Sequence, residues 1–151
     1  MSDSDLITLY SGRILELAAD IPHHGRLPAP QASVRKRSPL CGSTVTVDLV
    51  MEGGRVVQFA QDVKACALGQ AAAAVLGHAV IGRTAAELAQ GRDGLRAMLK
   101  ETGPAPAAPF DGFVVLTPAR DYKNRHASIL LAIEAAAEAA AMAGVVQPQT
   151  P

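Results

Sequence analysis

The chain has 151 residues, 49% of them hydrophobic and 19% charged, which is enough for one folded domain with a core and too apolar for a disordered polymer. Fourteen basic and fourteen acidic residues give a formal net charge of +0, excluding a global basic field that would gather nucleic acid. The polar, acidic start Met1–Asp5 lacks the pattern of a signal peptide, and the apolar stretch Ile129–Ala143 is expected to be too short and too charged, with Glu134 and Glu138, to span a bilayer.

In chain order, residues 5–20 carry Leu6, Leu9, Ile14, Leu15, Leu17 and Ala18 at helical spacing and predict an amphipathic helix that ends at Ile21-Pro22. Residues 22–40 are rich in Pro, Gly and polar groups and read as an irregular crossing with a short strand near Val34. Thr44–Leu49 alternates polar and apolar residues as a half-buried strand does. Glu52-Gly53-Gly54 supplies a turn, and Arg55–Val63 returns as the second strand of a hairpin. Residues 66–79 are Ala-rich and predict a helix.

Thr84 and Glu87 form a capping box for a third helix over about 85–89; Gly91 and Gly94 interrupt it, and a further helical piece covers Leu95–Lys100. Gly103–Pro109 is a linker, and Phe113–Leu116 reads as a short strand or a packed loop. A long alanine-rich helix is expected over His126–Ala141, stopped by Gly144, with 144–151 a frayed tail. The whole is expected to be a single domain over 1–151 with a polar N-terminus at 1–5. The order of elements predicts an α+β fold, a small antiparallel sheet with helices packed on one face.

Three residues stand out chemically. Cys41 precedes Gly42 on the turn into the hairpin. Cys66 sits where the second strand gives way to a helix, and free amides and the helix dipole there stabilise a thiolate, the form that binds metal or attacks sulfur. His126 lies at the expected start of the last helix, where a neutral imidazole is a ready metal ligand. The spacing of the two cysteines matches no zinc finger, and packing as ordinary free thiols is the competing reading. With no export signal, reduced thiols in a cytoplasmic setting are expected. No Ser-His-Asp arrangement, phosphate loop or His-Glu-x-x-His pair is present.

Taken together, Ser38-Pro39-Leu40-Cys41-Gly42-Ser43, a hairpin, Ala65-Cys66-Ala67-Leu68-Gly69-Gln70 and Arg125-His126-Ala127-Ser128-Ile129-Leu130 resemble the U-type iron–sulfur scaffolds (NifU N-terminal domain, IscU, SufU). That family shows Asn-Pro-x-Cys-Gly-Asp, then Gly-Cys-x-x-Ser opening a helix, then His-Cys-Ser-Ile-Leu. The resemblance covers roughly residues 6–142. It implies a carrier, not an enzyme, that takes sulfur from a cysteine desulfurase, assembles a [2Fe–2S] cluster with iron and passes it to cluster-acceptor proteins. Zinc is the alternative occupant.

Position by position, Cys41 and Cys66 match the first two cysteines and His126 the histidine before the third. The third cysteine falls on Ala127 and the aspartate on Ser43; the chaperone-recognition segment of IscU is absent, and Asp121–Arg125 looks like an insertion. The resemblance thus implies Cys41, Cys66 and His126 as ligands, with Ser43, Asp121, water, a small thiol or a partner chain as the fourth. The alternatives are a sulfur acceptor or desulfurase activator using Cys66 or Cys41, and a degenerate interaction protein without metal. Ala-rich helices also suit a homodimer; no nucleic acid or membrane partner is expected.

Overall fold

The structure is a computed structural model that describes residues 10–40 and 42–146. Its elements are α1 (Gly12–Ala19), β1 (Ala32–Arg37), β2 (Thr44–Glu52), β3 (Arg55–Lys64), α2 (Ala67–Ala79), α3 (Ala85–Lys100), a 3-10 segment (Asp111–Asp121) and α4 (Lys123–Val146). The expected α+β architecture is present: a three-stranded antiparallel sheet in the order β1-β2-β3, with helices stacked against one face.

Strand alternation builds the core. Val34 of β1, Val45, Val47, Leu49 and Met51 of β2, and Val56, Phe59 and Val63 of β3 are buried, and their side chains meet α4 and the alanine face of α2. A bulge at Val50/Met51 and a turn at Gly53 and Gly54, both at positive φ, close the hairpin. α2 is buried nearly all round, from Leu68 to Gly77, as a central helix must be.

The opposite sheet face is partly roofed by the 22–31 crossing. Asp48, fully buried on that face, accepts hydrogen bonds from Arg26 Nε (2.6 Å), Ser33 Oγ (2.6 Å) and the amide of Leu27 (3.1 Å). Burial works against the charged carboxylate, but these donors outweigh it and hold Asp48 below the ordinary carboxylate range.

Several boundaries differ from the sequence expectation. α1 starts at Gly12 because the Ser11 hydroxyl accepts from the Ile14 amide and caps it there; the earlier part of the expected helix, 5–9, lies outside the described residues. The piece expected to break at Gly91 is one continuous helix, α3, opened by the Thr84–Glu87 capping box. The reason is packing: a Cβ on Gly91 would stand 2.6 Å from the Phe110 ring, so the bare backbone is where the aromatic capping the 3-10 segment seats. Phe113–Leu116 is neither strand nor loop but 3-10 helix, with Phe113 and Leu116 buried.

α4 begins at Lys123 and runs through Gly144 to Val146, longer than expected at both ends. By length and composition alone Lys123–Gly144 could cross a membrane, against the expectation from its glutamates, but 67% of its most apolar window is buried inside the protein, as befits a core helix. Its two glutamates are paired, Glu134 with Arg96 of α3 and Glu138 with Lys36 of β1.

Candidate functional site

β3 ends at Lys64 and α2 begins at Ala67, so Cys66 falls on the N-cap of α2 at one end of the sheet. Its thiol is free and half-buried. α4 enters the same corner. Ser128 Oγ lies 3.6 Å from Cys66 Sγ and 2.9 Å from Ser43 Oγ, so the residues leading into β2 and α2 and the second turn of α4 are joined through one buried hydroxyl pair. Gly69 makes this approach possible: a Cβ there would stand 2.7 Å from Ser128 Oγ and 2.9 Å from the Ala65 Cβ.

Burial pushes the Cys66 thiol up. The Gly69 amide, the Ser128 hydroxyl, the Leu68 amide and the Arg125 charge together outweigh it and bring the thiol below its ordinary value. The sequence expectation of a thiolate-favouring helix start is met in direction. The side chain makes no capping hydrogen bond within ordinary limits, so the amides act through their field.

Cys41 lies outside the described residues. The backbone on either side closes a tight turn, with the Gly42 amide donating to Ser38 O (2.9 Å) and the Ser38 amide to Ser43 O (2.8 Å). Ser38 Oγ, buried at the base of that turn, has no partner among the described residues.

The remaining candidates are placed differently. Ser43 is 3% exposed and its hydroxyl is engaged with Ser128. His126 stands in the first turn of α4, 5% exposed, with Nε2 3.1 Å from Ala119 O and 2.9 Å from Arg120 O, so its ring fastens the 3-10 segment to α4. The ring also lines an open cavity of about 310 Å³ with Leu99, Lys100 and Lys123. Asp121 is exposed at the end of the 3-10 segment, and Ala127 is half-buried. Among the described residues no three His, Cys, Asp or Glu side chains gather as a metal site.

The structure therefore joins Cys66 to Ser43 and ties His126 to backbone carbonyls. Ser128, Gly69 and Arg125 are site residues that sequence reasoning did not single out. Ser128 and Arg125 stood inside the Arg-His-Ala-Ser-Ile-Leu segment, and Gly69 opens α2 beside the cysteine; a small residue one turn after a helix-start cysteine was the available signal.

No family model matches the chain, and no curated protein does. Among solved structures it is similar to a nitrogen-fixing NifU-like protein (N-terminal) from Brucella abortus, at 47% identity and a TM-score of 0.90, covering 93% of this chain and 98% of that one. It is also similar in fold to a protein from thermophilic Fervidobacterium islandicum AW-1 assigned as an iron–sulfur cluster assembly scaffold for the SUF system, at 20% identity and a TM-score of 0.78, covering 89% of this chain and 98% of that one.

Proposed function

The chain belongs to the NifU-like family of U-type iron–sulfur cluster assembly scaffolds, and from that premise we propose that it carries iron, zinc or a [2Fe–2S] cluster as transient cargo on Cys66, Cys41 and His126. The observation that carries the reading is Cys66: a half-buried free thiol at a helix N-terminus, held below its ordinary pKa by neighbouring amides, a hydroxyl and a cation. Thiolate and imidazole donors suit zinc and iron, and mixed Cys/His shells hold [2Fe–2S] centres elsewhere.

The donor set fits a labile cargo better than a permanent one. His126 would ligate through its other ring nitrogen, or by releasing Nε2 from the carbonyls of Ala119 and Arg120. Ser43 would have to give up Ser128 to serve as fourth ligand. Asp121, being exposed, or a partner protein is the freer source. We assign the protein as a carrier rather than an enzyme. It would work in the cytoplasm, where thiols stay reduced, receive sulfur from a cysteine desulfurase and deliver to cluster-acceptor proteins.

Anaerobic reconstitution with iron and sulfide tests this. Visible sulfur-to-iron charge-transfer bands are expected in the wild type and lost in Cys66→Ala and Cys41→Ala, with weakening in His126→Ala. No bands, together with no zinc by elemental analysis of the purified protein, would sink the reading.

A second reading is favoured by the environment of Cys66 taken alone. The thiolate would attack the outer sulfur of a desulfurase persulfide. A new S–S bond forms at Cys66, the old one breaks, and the desulfurase cysteine leaves as a thiolate, with no net oxidation. Desulfurase turnover stimulated by the protein and abolished by Cys66→Ala, with no cluster retained, is its signature.

A further inference from the structure

The bare half of the sheet's outer face carries a cluster of cations that the fold itself does not use. Strand pleating sorts the run Arg35-Lys36-Arg37 between two faces. Lys36 points to the helical side and pairs with Glu138 at 2.9 Å. Arg35 and Arg37 emerge on the other side, where the register sets Arg37, Thr44 and Lys64 in one row and Arg35, Thr46 and Asp62 in the next.

Most arginines elsewhere in the fold have acidic partners: Arg13 with Glu16, Arg26 with Asp48, Arg55 and Arg83 with Glu87, Arg92 with Asp93, Arg96 with Glu134. Among the described residues, Arg35, Arg37 and Lys64 have no carboxylate within ion-pair distance, and all three are exposed. Arg35 and Lys64 border an open, polar cavity of about 400 Å³ walled by Arg26, Ser33 and Asp62 and floored by Thr44 and Thr46. Lys64 is two residues before Cys66 and Arg37 four before Cys41, so the patch lies at the cysteine end of the sheet.

We propose that this face, Arg35, Arg37 and Lys64 over the Thr44/Thr46 floor, is the docking surface for a partner protein that presents a carboxylate-rich surface beside the cysteine end. Neighbouring same-face residues on a strand stand roughly 6.5 Å apart and next-but-one strands roughly 9.5 Å apart. Carboxylates one helical turn apart, about 5–6 Å, can span such a grid. The threonine hydroxyls between the cations accept or donate to a partner's polar groups. A polyphosphate surface fits less well, because Asp62 sits within the patch and the chain as a whole is neutral. The cationic face belongs to the sheet alone; only the expectation that the partner reaches Cys66 rests on the proposed sulfur- and cluster-carrying role.

Fluorescence anisotropy with the intact protein and a labelled Glu-Ala-Ala-Glu-repeat peptide reads the face directly. Binding is expected at low salt. It should weaken by at least about tenfold in Arg35→Gln/Arg37→Gln/Lys64→Gln, and stay unchanged in Lys100→Gln/Lys123→Gln, which removes two cations elsewhere. Circular dichroism confirms that both variants fold. Equal binding by the two variants would overturn the proposal, as would tighter binding to oligo-dT or to phosphatidylglycerol vesicles than to the peptide. Cys66→Ala should bind the peptide like wild type; a wild type that takes up neither metal nor cluster yet binds the peptide sinks the cargo reading and leaves this one standing.

Discussion

Replacing Ser128 by alanine isolates the hydroxyl that connects three elements at the cysteine corner. The substitution removes the partner of Ser43 Oγ, which is 2.9 Å away in a residue only 3% exposed. A buried hydroxyl left without a partner costs about 1–3 kcal/mol. For a chain of this length each kcal/mol lowers Tm by roughly 2–4 °C. Ser43→Ala should cost a similar amount by stranding Ser128. The double variant removes both ends of the bond, so it should be less destabilised than the sum of the singles by at least about 1 kcal/mol. Urea denaturation of the four proteins measures that coupling. A second readout separates chemistry from packing: the pH midpoint of Cys66 alkylation, resolved from Cys41 by peptide mapping, should move upward in Ser128→Ala because a hydrogen bond that favours the thiolate is gone. Strictly additive losses and an unmoved midpoint would refute the hydroxyl link.

Asp48→Asn should destabilise the fold by about 2–4 kcal/mol, since a fully buried carboxylate that accepts four hydrogen bonds, two of them from Arg26, is being neutralised. Because the folded-state pKa of Asp48 lies below its unfolded value, its contribution is complete above the ordinary carboxylate range and disappears as pH falls through the folded value; the gap between wild type and Asp48→Asn in urea midpoints should therefore close on acidification. Gly91→Ala should lose about 1–2 kcal/mol, the clash with Phe110 at 2.6 Å outweighing the helix-propensity gain. Gly144→Ala, with nothing within 4 Å, should gain up to about 1 kcal/mol; thermal melts compare the two, and a stabilised Gly91→Ala would contradict the packing described. Ala127→Cys, which puts a thiol where the resemblance to the U-type scaffolds aligns their third cysteine, should slow loss of the visible bands from reconstituted protein during gel filtration.

The hairpin was readable because Thr44–Leu49 alternates cleanly and Gly53-Gly54 can take positive φ, two local rules that agree. The capping box at Thr84 was readable for the same reason. The continuity of α3 was not, because whether a glycine breaks a helix or receives a neighbour's ring depends on Phe110, nineteen positions on, and only folding brings it there. Phe113–Leu116 gave a buried apolar run without period, which strand, loop and 3-10 helix share.

At the site, Cys66 was legible because strand-to-helix transitions can be located from a change of period, and its electrostatics follow from that position. The orientation of His126 was not, since no pattern in one sequence says whether an imidazole faces a thiol or a carbonyl. Nor could the inward turn of Ser43 be foreseen, for its partner Ser128 lies 85 positions away.

The alanine methyls that line the later turns of α4 are nearly interchangeable, so it is the buried Ile129, Leu130, Leu131 and Ile133 near its start that make sliding this rod by a turn costly. Glu134 and Glu138 add to that setting, each engaging a cation on a different neighbour. As exposed pairs they contribute under about 1 kcal/mol apiece, yet they index the rod along its axis. Ser128 rides on the same rod, about 15 Å from Glu138, so the seat of the Cys66 sulfur is set in part by two carboxylates that never approach it.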